Sequence, residues 1–592
     1  MTATQPTAPA PPPVFPVLRV LPLPTSYTTG TSILIISPDI DITFQVSSLT
    51  PSSPPGDLVR AIERTKVNLG RTRHRYLSPT RGAEFFDEAT GSQRHILSEL
   101  RLRLDPPQSG EMLSIAQAAR AAVEDRPELE AYTLTVPLDG EALIRSKSAL
   151  GLLRGLTTFE QLVYYTPAVP AGTSGAAGRP EALYAPFAPY EISDRPAFGW
   201  RGLLLDTSRN WFGIPILKKL LDYMALVKLN VFHWHITDSN AWPLDLKNRP
   251  ELAALGAYSP EQTYTEDEIR DLFQYAGERG IDILLEVDLP GHTASIHPSH
   301  PEHIASFNAQ PFSTYAHQPP AGQLRFATDE TVKWTKGLVK DIVGLVGEQG
   351  SRYVGTGGDE VNVKCMTEDP VTADSLKEKG WTLDDALNDF TKEVHEPIRA
   401  ASKIPAVWQE MALAHGSMPS LSKDTLVHIW KSSKDASKVL DKGFRIIHAP
   451  ADYFYLDVGL GGWIASKHGS NSWIDPFNTW AKMLSFDPYE CTRTDGQMSE
   501  DLKKKVLGGQ ACLWAEQTDE NNLESQVWPR AAAVADLFWT GDKAGGGYPR
   551  NAVEALPRMQ DVRYRMVDRG VRPAPLQPHW CALRPELSVE GA

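Results

Sequence analysis

Cysteine is scarce. The 592-residue chain has only Cys365, Cys491, Cys512 and Cys581. Four cysteines cannot make a disulfide scaffold at this length, although one or two bridges stay open, with no pairing readable. No Asn-x-Ser/Thr sequon occurs, so the chain offers no acceptor for N-glycosylation. No apolar run approaches the ~18 residues of a membrane span. Positive charge is also short. Lys and Arg number 59 against 73 Asp and Glu, for a net charge of -14. No basic cluster is dense enough to track phosphates, which argues against a nucleic-acid partner. The opening MTATQPTAPAPPPVFPVLRV has no basic stretch leading into an apolar one, so no signal peptide is visible. Its composition predicts a disordered Pro-rich tail over residues 1–20.

Tryptophan, by contrast, is plentiful. Fifteen are present, many in the second half and beside acids. Flat aromatic faces next to carboxylates suit sugar rings, although tryptophan also fills cores.

The chain is too long for one simple core and predicts two domains. From about residue 31 to 165, strand-like runs (SILIIS, DITFQVSS, HILSELRLRLD, EAYTLTVPLDG) mix with helical spacings (LVRAIERTKVNLG, SKSALGLLRGLTTFEQLVYY). Residues 21–182 are read as an N-terminal α+β domain ending in a Pro/Gly/Ser-rich linker, 166–182. After Pro196 eight short apolar runs recur, each closing on polar residues. They fall at 200–209, 229–238, 281–292, 352–360, 404–410, 425–430, 444–450 and 508–516. Helical patterns separate the early ones. Alternating strand and helix implies a parallel sheet, and eight units imply a (β/α)₈ barrel of the α/β class, set over residues 183–592 with a C-terminal extension.

In such barrels the active site lies at the C-terminal strand ends. Those ends carry Arg209, Asp238, Asp288, His292, Asp359, Glu360, Glu410, Trp430, Trp514 and Glu516. Any one acid there could be a helix cap or loop residue. Nearly every strand ending so points to a shared cleft. The stretch GTGGDEVNVKC sets Asp359 beside Glu360, and adjacent buried carboxylates raise each other's proton affinity. Clustered carboxylates with aromatic walls suit glycosidic bond hydrolysis, which needs a proton donor and a negative group near an oxocarbenium centre. Adjacent strand residues point to opposite faces, so the pair shares a cleft only if the backbone turns there, as Gly357 and Gly358 permit. Otherwise Glu360 is a solvated loop residue. A rival reading starts from His233 and His235, two residues apart on one strand. With His292 they could begin a metal-dependent amidohydrolase site, or they could be histidines hydrogen-bonded within the barrel core.

The residues also carry a resemblance. GTGGDEVN resembles the Gly-Gly-Asp-Glu signature of glycoside hydrolase family 20, the β-N-acetylhexosaminidases. ISDRPAFGWRGLLLDTSRNW, HWHITDSNAWPL, EVDLPGHT, YLD at 455–457, CLWAE at 512–516 and SALGLLRGLTTFEQL resemble further motifs of that family, in its order. The resemblance implies an exo-acting, retaining enzyme that removes terminal β-linked N-acetylhexosamine, with the substrate's own 2-acetamido group as nucleophile. It implies Glu360 as general acid/base, Asp359 on the acetamido N–H and Tyr455 on the acetamido oxygen. Trp408, Trp430 and Trp514 would wall the pocket, and Arg209, Glu516 and Asp457 would bind the outer hydroxyls. Asp238 and His292 would support them, His292 by orienting Glu360. No metal or cofactor is needed in that scheme, and His233 and His235 then read as structural. A carbohydrate substrate, a possible homodimer and a secreted, cell-wall or vacuolar/lysosomal location are implied likewise. A carbohydrate-binding relative without catalysis is the alternative from another class. Gly355 departs from the pattern, standing where many relatives carry His, and is expected to alter local packing.

Overall fold

The computed structural model describes residues 18–46, 53–87, 95–105, 112–170, 178–414, 418–465, 471–473, 475–494, 497–541 and 551–588. The chain divides into two compact units. The expected tail at 1–20 lies outside the described residues except for Leu18, Arg19 and Val20, of which Leu18 and Val20 are buried.

The first unit comprises the described parts of Met1–Met112, Glu130–Pro196 and Trp539–Ala592. Its six-stranded sheet mixes parallel and antiparallel pairs. The long strand Ser26–Val46 merges the two apolar runs read separately in the sequence. The helix Ala149–Leu162 lies where its spacing placed it. It starts at Ser148, whose hydroxyl accepts the Gly151 N–H at 2.9 Å. Two domain edges differ from expectation. The strand Ala182–Asp194 pairs with Ser26–Val46 and with Tyr132–Val136, so the sheet continues past residue 182 and this unit runs to Pro196. The C-terminal segment also belongs here, not to the barrel. In its helix Ala552–Asp568, Arg565 pairs with Asp561 at 2.7 Å and donates to the carbonyls of Gln161 and Val163.

The second unit, Leu113–Leu129 and Ala197–Phe538, holds the barrel. Its strands are Trp200–Asp206, Val231–Thr237, Asp282–Val287, Tyr353–Gly357, Ile404–Trp408, Leu426–Ile429, Arg445–His448 and Val506–Leu513. All are parallel, and the eighth pairs with the first to close the ring. Each lies within or overlaps an apolar run identified in the sequence. Strands buried on both faces read as unbroken apolar runs, and every residue of the first three is buried.

The floor of the barrel is a layer with one residue from each strand: Trp200, Val231, Leu284, Tyr353, Ala406, Leu426, Ile447 and Leu507. Val123, from the segment Leu113–Leu129, completes it. The Val123 N–H donates to the Tyr353 hydroxyl at 3.3 Å, and Arg126 makes a fully buried ion pair with Asp282 at 2.7 Å. Bulky residues in layers make such a barrel a packed core and not a pore. All four cysteines are unpaired. No helix among the described residues is long and apolar enough to cross a membrane.

Candidate active site

The fourth strand ends at Gly357, and the backbone then leaves β geometry. Gly357 (φ 59°), Gly358 (φ 92°) and Glu360 (φ 52°) all take positive φ. Glycine is required at the first two. A Cβ on Gly357 would stand 2.0 Å from Asp288 Oδ1, and one on Gly358 would stand 2.5 Å from Met411 Cγ. The Gly358 N–H instead donates to Asp288 Oδ1 at 2.9 Å. This turn cancels strand alternation, so Asp359 and Glu360 both line one cavity of about 180 Å³. Glu360 is not glycine, and left-handed backbone at such a residue is held only by its surroundings.

His292 also has positive φ (55°) and lies between the acids and the wall behind them. Its Nε2 is 3.6 Å from Asp359 Oδ2 and 3.4 Å from Glu360 Oε2; its Nδ1 is 3.2 Å from Asp238 Oδ1. Burial alone would depress the imidazole, but Asp238, Glu360 and Asp359 overcome it and hold the ring cationic well above its ordinary range. Burial likewise pushes Glu360 upward, yet the hydrogen bond and charge of His292 win and keep it ionised.

Asp238 is fully buried behind the cavity and does not line it. Its partners are Arg209 at 2.8 Å, His235 at 2.9 Å and His292. These cations overcome burial and hold its carboxyl well below the usual range. It therefore fixes two residues that do reach the cavity.

The sequence list omitted a role for Asp288. One of its carboxylate oxygens lies within 4.8 Å of one of Asp359. Asp288 Oδ2 and Asp359 Oδ1 are buried and have no donor among the described residues. Burial raises both, and the Asp359 charge adds to it at Asp288, which stands well above the ordinary carboxyl range. No local pattern reveals this, because the partners come from different strands.

Arg209, Trp408, Trp430, Tyr455, Asp457, Trp514 and Glu516 all line the same cavity. Trp430 and Tyr455 are parallel with centroids 6.4 Å apart, and Trp514 lies 6.0 Å from Trp408. Burial keeps the Tyr455 hydroxyl protonated, hence a donor. Asp457 Oδ1 is buried without a partner among the described residues, as befits a group that meets a polar ligand. The Trp430 indole donates to Glu410 at 2.8 Å. Burial and the Asp359 charge push the Glu410 carboxyl up to about 7. Three lining aromatics and aliphatics were not foreseen: Trp463, Ile464 and Trp473, at 40%, 39% and 69% exposure. They sit in the long loop between the seventh and eighth strands, where a Gly/Ser-rich setting hid their purpose. His317 and Gln318 line the cavity as well.

His233 and His235 point at one carboxylate, Glu286, at 3.0 and 2.8 Å. Both nitrogens of His235 are engaged, by Glu286 and Asp238, and His233 Nδ1 faces the Gln510 amide at 2.9 Å. Gly355 pairs in register with Glu286, and a Cβ there would stand 2.6 Å from Glu286 Cβ. The changed packing at Gly355 is thus contact with the residue that anchors both histidines.

Residues 198–542 match the family model described as glycosyl hydrolase family 20, catalytic domain, and residues 20–162 match one described as beta-acetyl hexosaminidase like. The chain belongs to glycosyl hydrolase family 20. A beta-hexosaminidase of Arthroderma benhamiae is 30% identical over 606 residues, covering 95% of this chain and 96% of that protein. The chitooligosaccharidolytic beta-N-acetylglucosaminidase of Bombyx mori is 32% identical over 452 residues, 74% of this chain and 71% of that one. Among solved structures, the chitobiase of Flavobacterium johnsoniae superposes with a TM-score of 0.69 at 23% identity, covering 96% of this chain and 74% of that one. That likeness is one of fold. Family membership and fold agree with the family resemblance and the barrel read from the sequence.

Proposed function

We propose that this enzyme releases terminal, non-reducing β-linked N-acetylhexosamine from oligosaccharides and glycoconjugates, with retention and with help from the substrate's acetamido group. The reading rests above all on the left-handed turn at Glu360, which brings two adjacent carboxyls into one cavity with His292 Nε2 at 3.6 and 3.4 Å. Glu360 is the proton donor to the glycosidic oxygen. The proton it needs is held 3.4 Å away on His292. As that bond breaks, the acetamido oxygen closes on C1 and forms an oxazolinium ion. Asp359 accepts the acetamido N–H and offsets the growing positive charge. Tyr455 donates to the acetamido oxygen and orients it. Water then attacks C1 while Glu360 takes its proton, restoring the resting state. Trp408, Trp430 and Trp514 enclose the N-acetyl group and ring. Arg209, Asp457 and Glu516 take the outer hydroxyls.

Hydrolysis of aryl β-N-acetylglucosaminide and aryl β-glucoside by wild type, Glu360→Gln and Asp359→Asn tests this. Cleavage of the N-acetyl sugar alone is expected, with each variant losing about 100-fold or more. Equal cleavage of both sugars would remove the acetamido group from the mechanism. Binding of N-acetylglucosamine without hydrolysis would make the chain a binding relative. A secretory, cell-wall or vacuolar location and a homodimer complete the proposal on family grounds; cell fractionation and sedimentation velocity test them.

A further inference from the structure

The loop after the third strand carries His300, Glu302 and His303, none of which lines the active-site cavity. One ring nitrogen from each histidine and a carboxylate oxygen lie within 4.8 Å of one another. Glu302 Oε1 is 3.2 Å from His300 Nδ1 and 3.8 Å from His303 Nε2. Ligand atoms bound tetrahedrally at about 2.1 Å stand roughly 3.4 Å apart, so the three already approximate one face of a coordination tetrahedron.

The far side of each imidazole is occupied as well. His300 Nε2 faces Glu251 Oε1 at 3.2 Å, and His303 Nδ1 faces Thr331 Oγ1 at 3.1 Å. Imidazoles that bind a metal usually give their second N–H to such an acceptor, which fixes the tautomer and aims the free lone pair. With those N–H groups given to Glu251 and Thr331, the lone pairs would fall on His300 Nδ1 and His303 Nε2, the two nitrogens nearest Glu302. Trp334 packs against both rings, with centroids at 4.9 and 4.7 Å. Arg325 Nη1 donates to the carbonyls of Pro301 and Glu302 at 3.2 and 2.7 Å, holding the turn that carries the carboxylate. His297, also three residues from His300, is stacked on Phe307 at 3.7 Å.

We propose that His300, Glu302 and His303 form a binding site for a borderline divalent transition metal of the zinc class. Two imidazoles and one carboxylate suit zinc, nickel or copper; calcium and magnesium call for six or more oxygen-rich positions. Three protein ligands leave a fourth position for water. The ion would tie the Pro301–His303 turn and take no part in glycoside cleavage.

Full-length protein stripped with a chelator and dialysed is titrated calorimetrically with ZnCl₂, and separately with CoCl₂ while the visible spectrum is recorded. The same is done for Glu302→Gln, His300→Gln and Asp359→Asn. Wild type and Asp359→Asn are expected to bind one zinc per chain and to give the visible band of four-coordinate cobalt. Glu302→Gln and His300→Gln, at partly exposed positions, are expected to bind at least about tenfold more weakly. They should retain wild-type circular dichroism and hydrolysis. The proposal is overturned by absence of stoichiometric zinc in wild type, by equal binding in the two site variants, or by loss of binding in Asp359→Asn, which would move the metal to the catalytic acids.

Discussion

Asp288 and Asp359 are two buried carboxyls with oxygens within 4.8 Å of each other, and burial together with the Asp359 charge raises Asp288 well above the ordinary carboxyl range. The raised Asp288 pKa has a sign that thermal unfolding can read. Its stabilising effect is complete below the ordinary carboxyl pKa of about 4 and fades as pH rises toward its folded value. Asn at 288 can donate to Asp359 and accept from Gly358 without titrating. The unfolding free-energy difference between Asp288→Asn and wild type, from thermal unfolding, should therefore shift in the variant's favour from pH 4 to pH 8, by up to about 1.4 kcal/mol per pH unit. A difference independent of pH would show that Asp288 is not raised.

His235 gives the opposite end of the pH range. Burial works against its charge, but the hydrogen bonds of Asp238 and Glu286 push the ring up to about 9. A raised histidine stabilises fully below its ordinary pKa and loses that effect as pH climbs to the folded one. Stability should fall between about pH 6.5 and pH 9, by about 3 kcal/mol from this ring. Histidine-labelled NMR should find the His235 ring cationic to about pH 9 and the His292 ring cationic well above its ordinary range. A spectrum in which every ring titrates near 6.5 or below would contradict the Asp238–His235–Glu286 chain.

Gly355 has no room for a side chain. A Cβ would stand 2.6 Å from Glu286 Cβ and 2.9 Å from its Cα. Gly355→Ala should cost about 1–3 kcal/mol in urea unfolding. Gly70→Ala is the control. It lies in the helix Gly56–Arg71 with nothing near its added Cβ, so it should stabilise by about 0.5–1 kcal/mol. Equal effects at the two positions would dismiss the contact with Glu286.

The barrel was legible because parallel strands buried on both faces leave apolar runs, and each of the eight strands fell on one. The edges of the other unit were not. Ala182–Asp194 contains two prolines and follows the Pro/Gly/Ser-rich stretch that marks a boundary, so the sequence assigns residues 183–194 to the barrel although the strand pairs with two strands of the other unit. Pro557 likewise obscures the helix Ala552–Asp568. In the site, acids and aromatics at strand ends stood out by residue type. What type cannot convey is depth. Asp238 looked like a ligand contact and is a buried anchor. Asp288 looked like one more strand-end acid and is the acceptor that holds the Gly358 turn. The histidines at 300 and 303 gained meaning only from Glu251, Thr331 and Trp334, which lie elsewhere in the chain.

Val123 closes the barrel floor from a segment that precedes the first barrel strand by some seventy residues. During synthesis that piece leaves the ribosome before any barrel strand exists to receive it. A fragment cut at Ala197 would lack both this stopper and the partner of Asp282, leaving a buried carboxylate unpaired beneath an open ring. The smallest self-sufficient version of this barrel is therefore a discontinuous stretch of gene, and any shuffling event that moved the barrel had to carry the earlier segment with it.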